Sequence, residues 1–180
     1  FIVGQTGTLT RLTENVGHFD FSAARRLSDI AASFGVGIKE HNADYLRDAI
    51  LLAHPALGIT AANIAPEFGV VETRAYLELA HIEDVEFGAA ASGISKALAE
   101  EAVACGRWRK WMVDPKIKEM PADEALKDEA LTALITDICG HYTFETDAVK
   151  QRLSVLDTHM RTLGIDMEAY AVKKVKDSID

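Results

Sequence analysis

The chain has 180 residues, with 19 Lys and Arg against 28 Asp and Glu, giving a formal net charge of −9. That balance opposes general nucleic-acid binding, which draws on a basic surface to release phosphate counterions. No apolar run reaches the roughly 18 residues of a membrane span, so neither nucleic acid nor membrane is expected as a partner.

The length suits one domain or one piece of a larger one. Phe1-Ile2-Val3 enters directly as a strand without a methionine, so a processed, trimmed or fragmentary chain is expected, and no signal-peptide pattern is visible. The segment from Phe1 to Leu9 reads as a buried strand running into a loop punctuated by Gly4 and Gly7. Glycines there permit close backbone approach to a ligand. Gln5, on the same strand, suits a hydrogen bond to a sugar hydroxyl or to backbone.

Asp20 can cap a first helix whose apolar stripe is Ala23, Leu27, Ile30, Ala31 and Phe34, stopped by Gly35. A second strand, 36–40, then delivers Lys39, Glu40, His41, Asn42 and Asp44 within six residues. Polar groups gathered at the carboxyl end of a parallel strand face the cleft where α/β proteins bind ligands. His41 is the central candidate, because a neutral imidazole serves as a divalent-metal ligand or as a general acid or base near neutral pH. Strand alternation puts Lys39 and His41 on one face and Glu40 on the other. Asp44 suits either orienting His41 or capping the next helix, and Asn42 shares that ambiguity.

A second helix is expected over 45–53, ended by Pro55, and a third strand over 58–64 with Asn63 near its end. Pro66 and Glu67 open a third helix, since proline fits a first helical position and acid favours a helix N-terminus. Three β-α units of about 30 residues each imply a parallel sheet, and units this short favour a barrel. From Phe87 onward the periodicity is helical throughout, with Val149, Leu153, Leu156, Met160 and Leu163 the clearest stripe. His54, His81 and His159 sit within helical patterns as surface or packing residues. Cys105 and Cys139, the only cysteines, read as buried thiols in a reducing cytosol.

The run His41-Asn42-Ala43-Asp44-Tyr45, then Ile64-Ala65-Pro66, then Tyr76 to Glu83, resembles the accessory, non-catalytic subunit of class II D-tagatose-1,6-bisphosphate aldolase. Gln5-x-Gly7, Asn15-Val16, Trp111-Met112, Pro115 and Gly140-His141-Tyr142 are also similar to that family. Its pattern carries an acidic residue where Lys39 stands, Ser-Thr where Asn42-Ala43 stand, and Lys where Asn63 stands.

The resemblance implies the C-terminal portion of a TIM-like (β/α)8 barrel, with its last three βα units in residues 1–84 and a helical extension over 85–180. The earlier strands, with their own His and acidic site residues, are absent. It further implies carbohydrate metabolism, a sugar or sugar-phosphate ligand, a catalytic aldolase subunit as partner, an oligomeric assembly and a cytoplasmic location. The expected catalytic set is His41, Asp44 and Glu40. Gln5, Gly7, Lys39, Asn42 and Asn63 are the expected substrate contacts, and His41 the ligand for a divalent metal such as Zn or Mn. The alternative is a stand-alone metal-dependent ketose or ketose-phosphate epimerase or aldolase.

Overall fold

Three short strands form a parallel sheet in the computed structural model, which describes residues 1–178. Residues 179 and 180 of the expected extension lie outside them. Strand β1 (Ile2–Gly4) pairs with β4 (Ile38–Glu40), which pairs with β5 (Ile59–Ala62). Between β1 and β4 come a small antiparallel hairpin of β2 (Thr10–Arg11) and β3 (Glu14–Asn15), and then helix α1 (Phe21–Ser33). Helix α2 (Asp48–Leu57) links β4 to β5. The chain is thus a mixed α/β protein, mostly helical, with one three-stranded parallel sheet among the described residues.

One sheet face is covered by small residues. Ala24 and Ala31 of α1 pack with Ile38 and Ile59, flanked by Phe19, Leu27 and Leu57. The expected stripe of α1 is met at Leu27 and Ala31, which join this core, and not at Ile30 and Phe34. Ile30 and Phe34 are exposed, while Ala24, Ser28 and Ala31 face the sheet. Strand β1 is not the buried strand expected, since Ile2 and Val3 are 46% and 53% exposed. It is an edge strand bonded to β4 alone.

Asp20 caps α1 as expected, its carboxylate accepting from Ala23 N. Helix α2 begins later than the sequence suggests, because Asn42 and Tyr45 have φ of 58° and 56°, a left-handed conformation from which a helix cannot propagate. Pro55 lies inside α2 and does not end it. Only one helical hydrogen bond is lost so close to the C-terminus, and the helix stops at Gly58, whose φ of 81° makes the left-handed cap.

Two compact units divide the chain, Phe1–Glu67 and the helical remainder from Phe68. Helix α3 (Pro66–Phe87) begins at the predicted proline. It is followed by α4 (Ile94–Ala104), the short α5 (Pro115–Lys118) and α6 (Ala122–Ala125), α7 (Glu129–Cys139), α8 (Asp147–Thr162) and α9 (Met167–Asp177). Helices α6 and α7 are separate because Asp128 caps a new helix, accepting from Leu131 N. Leu79, Ile94, Leu98, Val149, Leu156 and Met160 belong to a core cluster of this unit, which uses the predicted stripe of α8 except Leu163, exposed just past the helix end.

Beside that core is a buried polar knot. The Glu83 carboxylate accepts from the Ser92 hydroxyl and meets His159 Nδ1, each at 2.5 Å, and Phe87 stacks on the imidazole. Cys139 is buried, but Cys105 is exposed, contrary to expectation, because it follows the last turn of α4.

Candidate functional site

The carboxyl ends of the three parallel strands lie level. Gly4, Glu40 and Ala62 are in register, and the ladder continues one residue further, with His41 N donating to Gly4 O and Asn63 N to Glu40 O, both at 2.9 Å. The residues that follow on each strand, Gln5, His41 and Asn63, therefore form one row. Neighbouring strands are about 4.8 Å apart, so the row spans roughly 10 Å. Alternation puts this row on the face away from α1 and α2, because Ile38 and Glu40 point toward those helices.

Lys39 lies two residues before His41 of the row, on the same face. Its Nζ donates to Asn63 Oδ1 at 3.2 Å and sits 5.0 Å from the centre of the Phe1 ring. These partners are neutral, and no carboxylate neutralises the ammonium among the described ion pairs. Val3 and Ala61, its register partners, are exposed. His41 is exposed, and Gln5 is exposed with its amide donating to Thr8 O at 3.3 Å.

Glu40 takes the opposite side, fully buried, where the Thr6 hydroxyl donates to it and His54 Nε2 approaches within 2.7 Å. His54 is held in turn by stacking on Phe19, with ring centres 5.7 Å apart. A carboxylate so buried persists only with such partners. Asp44 is also buried, with Oδ1 accepting from Ala65 N at 2.9 Å and Glu67 N at 3.0 Å. It thus caps a helix, as its position allowed, but the helix is α3 and not the second one.

The Asn15 amide donates to the Asn42 and Asp44 carbonyls at 3.1 and 2.9 Å and fastens the left-handed turn to the hairpin. Glu67 completes the turn by accepting from Tyr45 N at 2.6 Å. Burial pushes the Glu67 carboxyl above its ordinary 4.5. The Tyr45 amide works against that rise, and the Asp44 charge adds to it. At Gly7, φ is 97°, and a Cβ there would meet His18 O at 2.1 Å, so the close approach at this glycine is to the protein's own backbone.

Among the expected residues, the fold gathers Gln5, Lys39, His41 and Asn63 on one open face. Glu40 and Asp44 are turned into the protein, Asn42 contributes its carbonyl to the turn, and Gly7 accommodates a neighbouring loop. His54, Thr6 and Asn15 belong to the supporting structure and were not singled out for it in the sequence. A histidine 14 positions from its carboxylate gives no local signal. Among the described residues no three His, Cys, Asp or Glu side chains converge as a metal site.

Fold and site together define an α/β protein with a hydrogen-bonding row and one cation at the carboxyl edge of a parallel sheet. No model of a known protein family matches the chain, and no curated protein matches it. Among solved structures it is similar to a probable tagatose 6 phosphate kinase from Sinorhizobium meliloti 1021. The TM-score is 0.66 at 17% identity, over 98% of this chain and 44% of that one. At that identity the likeness establishes a shared fold, and the chain spans less than half of its neighbour's length. No helix among the described residues is long and apolar enough to cross a membrane.

Proposed function

We propose that the chain binds a ketose phosphate on the open face of its sheet and serves tagatose-type sugar-phosphate metabolism as an accessory subunit of a class II ketose-bisphosphate aldolase. The observation that carries this reading is the row of Gln5, His41 and Asn63 with Lys39 behind it. Amide and imidazole groups donate to and accept from sugar hydroxyls, and an ammonium with neutral partners suits a phosphate. Both nearby carboxylates, Glu40 and Asp44, are committed to internal partners. His41 is thereby left without the acidic neighbour that general acid/base work would use, which favours binding over turnover. The fold shared with a tagatose-named protein supports the same metabolic area, and the resemblance supports reading the three strands as the closing part of a TIM-like barrel.

The test is co-expression of the complete protein with a catalytic aldolase subunit. The proposal expects higher aldolase activity or stability than with the subunit alone, and no activity from this protein by itself. His41→Ala should weaken sugar-phosphate binding without abolishing that support.

The second reading, a stand-alone metal-dependent epimerase or aldolase, draws on the exposed imidazole of His41 at the strand end. It predicts that the complete protein with Mn²⁺ or Zn²⁺ alone converts a ketose phosphate and that His41→Ala abolishes conversion. That outcome would displace the accessory role.

A further inference from the structure

Residues 107–118 carry five cations, Arg107, Arg109, Lys110, Lys116 and Lys118, against the single acid Asp114, in a chain whose net charge is −9. That acid is committed to capping α5, its carboxylate accepting from Lys116 N at 2.8 Å. Local structure gathers the cations into one lobe. Arg107–Trp111 is a 3₁₀ turn, in which side chains three apart lie on the same side. Trp108 and Trp111 therefore share one side, and Arg107 and Lys110 another. Trp108 is fully buried, its indole donating to Val103 O at 3.0 Å, and Arg107 and Lys110 are exposed. Arg109 Nη1 donates to Lys118 O at 2.6 Å and so ties α5 back to the turn.

Among the described residues, none of these five side chains is in an ion pair with a carboxylate. Arg107, Arg109 and Lys110 lie instead over the rings of Tyr142, Trp108 and Trp111, at 4.5, 4.5 and 4.8 Å. Elsewhere in the helical unit seven Lys and Arg side chains do meet a carboxylate. Crowded like charges repel, and an acidic chain has ample carboxylates to relieve them, yet places none here. Beside the cations Val113 is 66% exposed, with Trp111 and Met112 half-buried.

We propose that the lobe of residues 107–118 is a docking surface for an acidic segment of a partner protein, whose carboxylates meet Arg107, Lys110, Lys116 and Lys118 while an apolar side chain rests on Val113. Carboxylates form charge-assisted hydrogen bonds with guanidinium and ammonium groups. The aromatic rings already hold three of the cations, which lowers the cost of ordering them on binding. The cations come from two successive elements, an arrangement that suits a segment with several charges. An apolar contact suits a peptide, whereas an extended nucleic acid is repelled by the net negative charge of the chain.

The experiment titrates a fluorescently labelled oligoglutamate peptide bearing a central leucine with the complete protein and follows anisotropy. Expected is saturable binding at low ionic strength that weakens as salt is added. Arg107→Glu/Lys110→Glu and Lys116→Glu/Lys118→Glu should each weaken it roughly tenfold. Inside the fold Lys116 and Lys118 use only backbone groups, so the second variant stays folded even if the first does not. Lys173→Glu/Lys176→Glu makes the same change of net charge on α9 and should bind the peptide as the wild type does. The proposal is overturned if the peptide does not bind, if the α9 variant weakens binding as much as Lys116→Glu/Lys118→Glu, or if duplex DNA binds at least as tightly and displaces the peptide.

Discussion

Asp44→Ala tests whether the loop after β4 is held by one buried carboxylate. The side chain is 1% exposed, and its Oδ1 accepts from two amides at the start of α3, Ala65 N at 2.9 Å and Glu67 N at 3.0 Å. Removing a helix-capping acceptor costs about 1 kcal/mol. A second amide left without a partner in a buried setting adds roughly 1 to 2 kcal/mol. Relief of repulsion on Glu67 offsets little of this, because that group is partly solvated and screened. The expected loss is therefore about 2 to 3 kcal/mol, and Asp44→Asn, which keeps Oδ1, should lose about half as much. Both tryptophans lie in the helical unit, so their fluorescence is the wrong reporter. Urea unfolding by circular dichroism, with hydrogen exchange of the peptide spanning 59–67, reads the effect directly. A loss below about 0.5 kcal/mol, with unchanged protection at Ala65 and Glu67, would refute the capping argument.

Three further outcomes follow from the same unit. His54→Leu removes the partner of a fully buried carboxylate and should destabilise by about 3 kcal/mol, read as a lower urea midpoint at unchanged slope, whereas Glu40→Gln/His54→Leu should recover part of that loss. Because the Glu67 carboxyl is raised above 4.5 when folded, the folded state holds more protons than the unfolded chain between the two values. Stability should then fall as pH climbs from 4.5 through the folded value, and Glu67→Gln should flatten that slope in a pH series of urea melts. Gly7→Ala should cost about 2 kcal/mol or more without any ligand present, measured by thermal unfolding, because the new Cβ meets His18 O.

How much of this was legible in the sequence depends on the range of the forces involved. Asp20 and Pro66 were readable because capping and proline geometry act within one turn. The three-strand parallel order was readable from β-branched runs separated by helical periods. The buried side of α1 was readable only in part, since Ala24 and Ser28 are buried beside the expected Leu27 and Ala31, and hydrophobicity patterns favour the larger Ile30 and Phe34 that solvent receives. The start of α2 was missed because a left-handed Asn42 and Tyr45 leave no periodic trace. Among the site residues, alternation separated Lys39 and His41 from Glu40 correctly. What Glu40 and Asp44 bond to could not be read, because His54, Thr6 and the α3 amides reach them only through the tertiary fold.

The most direct measurement is calorimetric titration of the complete protein with D-tagatose 6-phosphate, comparing wild type with Lys39→Met and Asn63→Ala. The account predicts saturable binding that Lys39→Met weakens at least about tenfold, the loss of one charge-assisted contact of roughly 1.5 kcal/mol, with a smaller effect at Asn63. Wild-type binding unchanged by either substitution, or no binding at millimolar ligand, would contradict it.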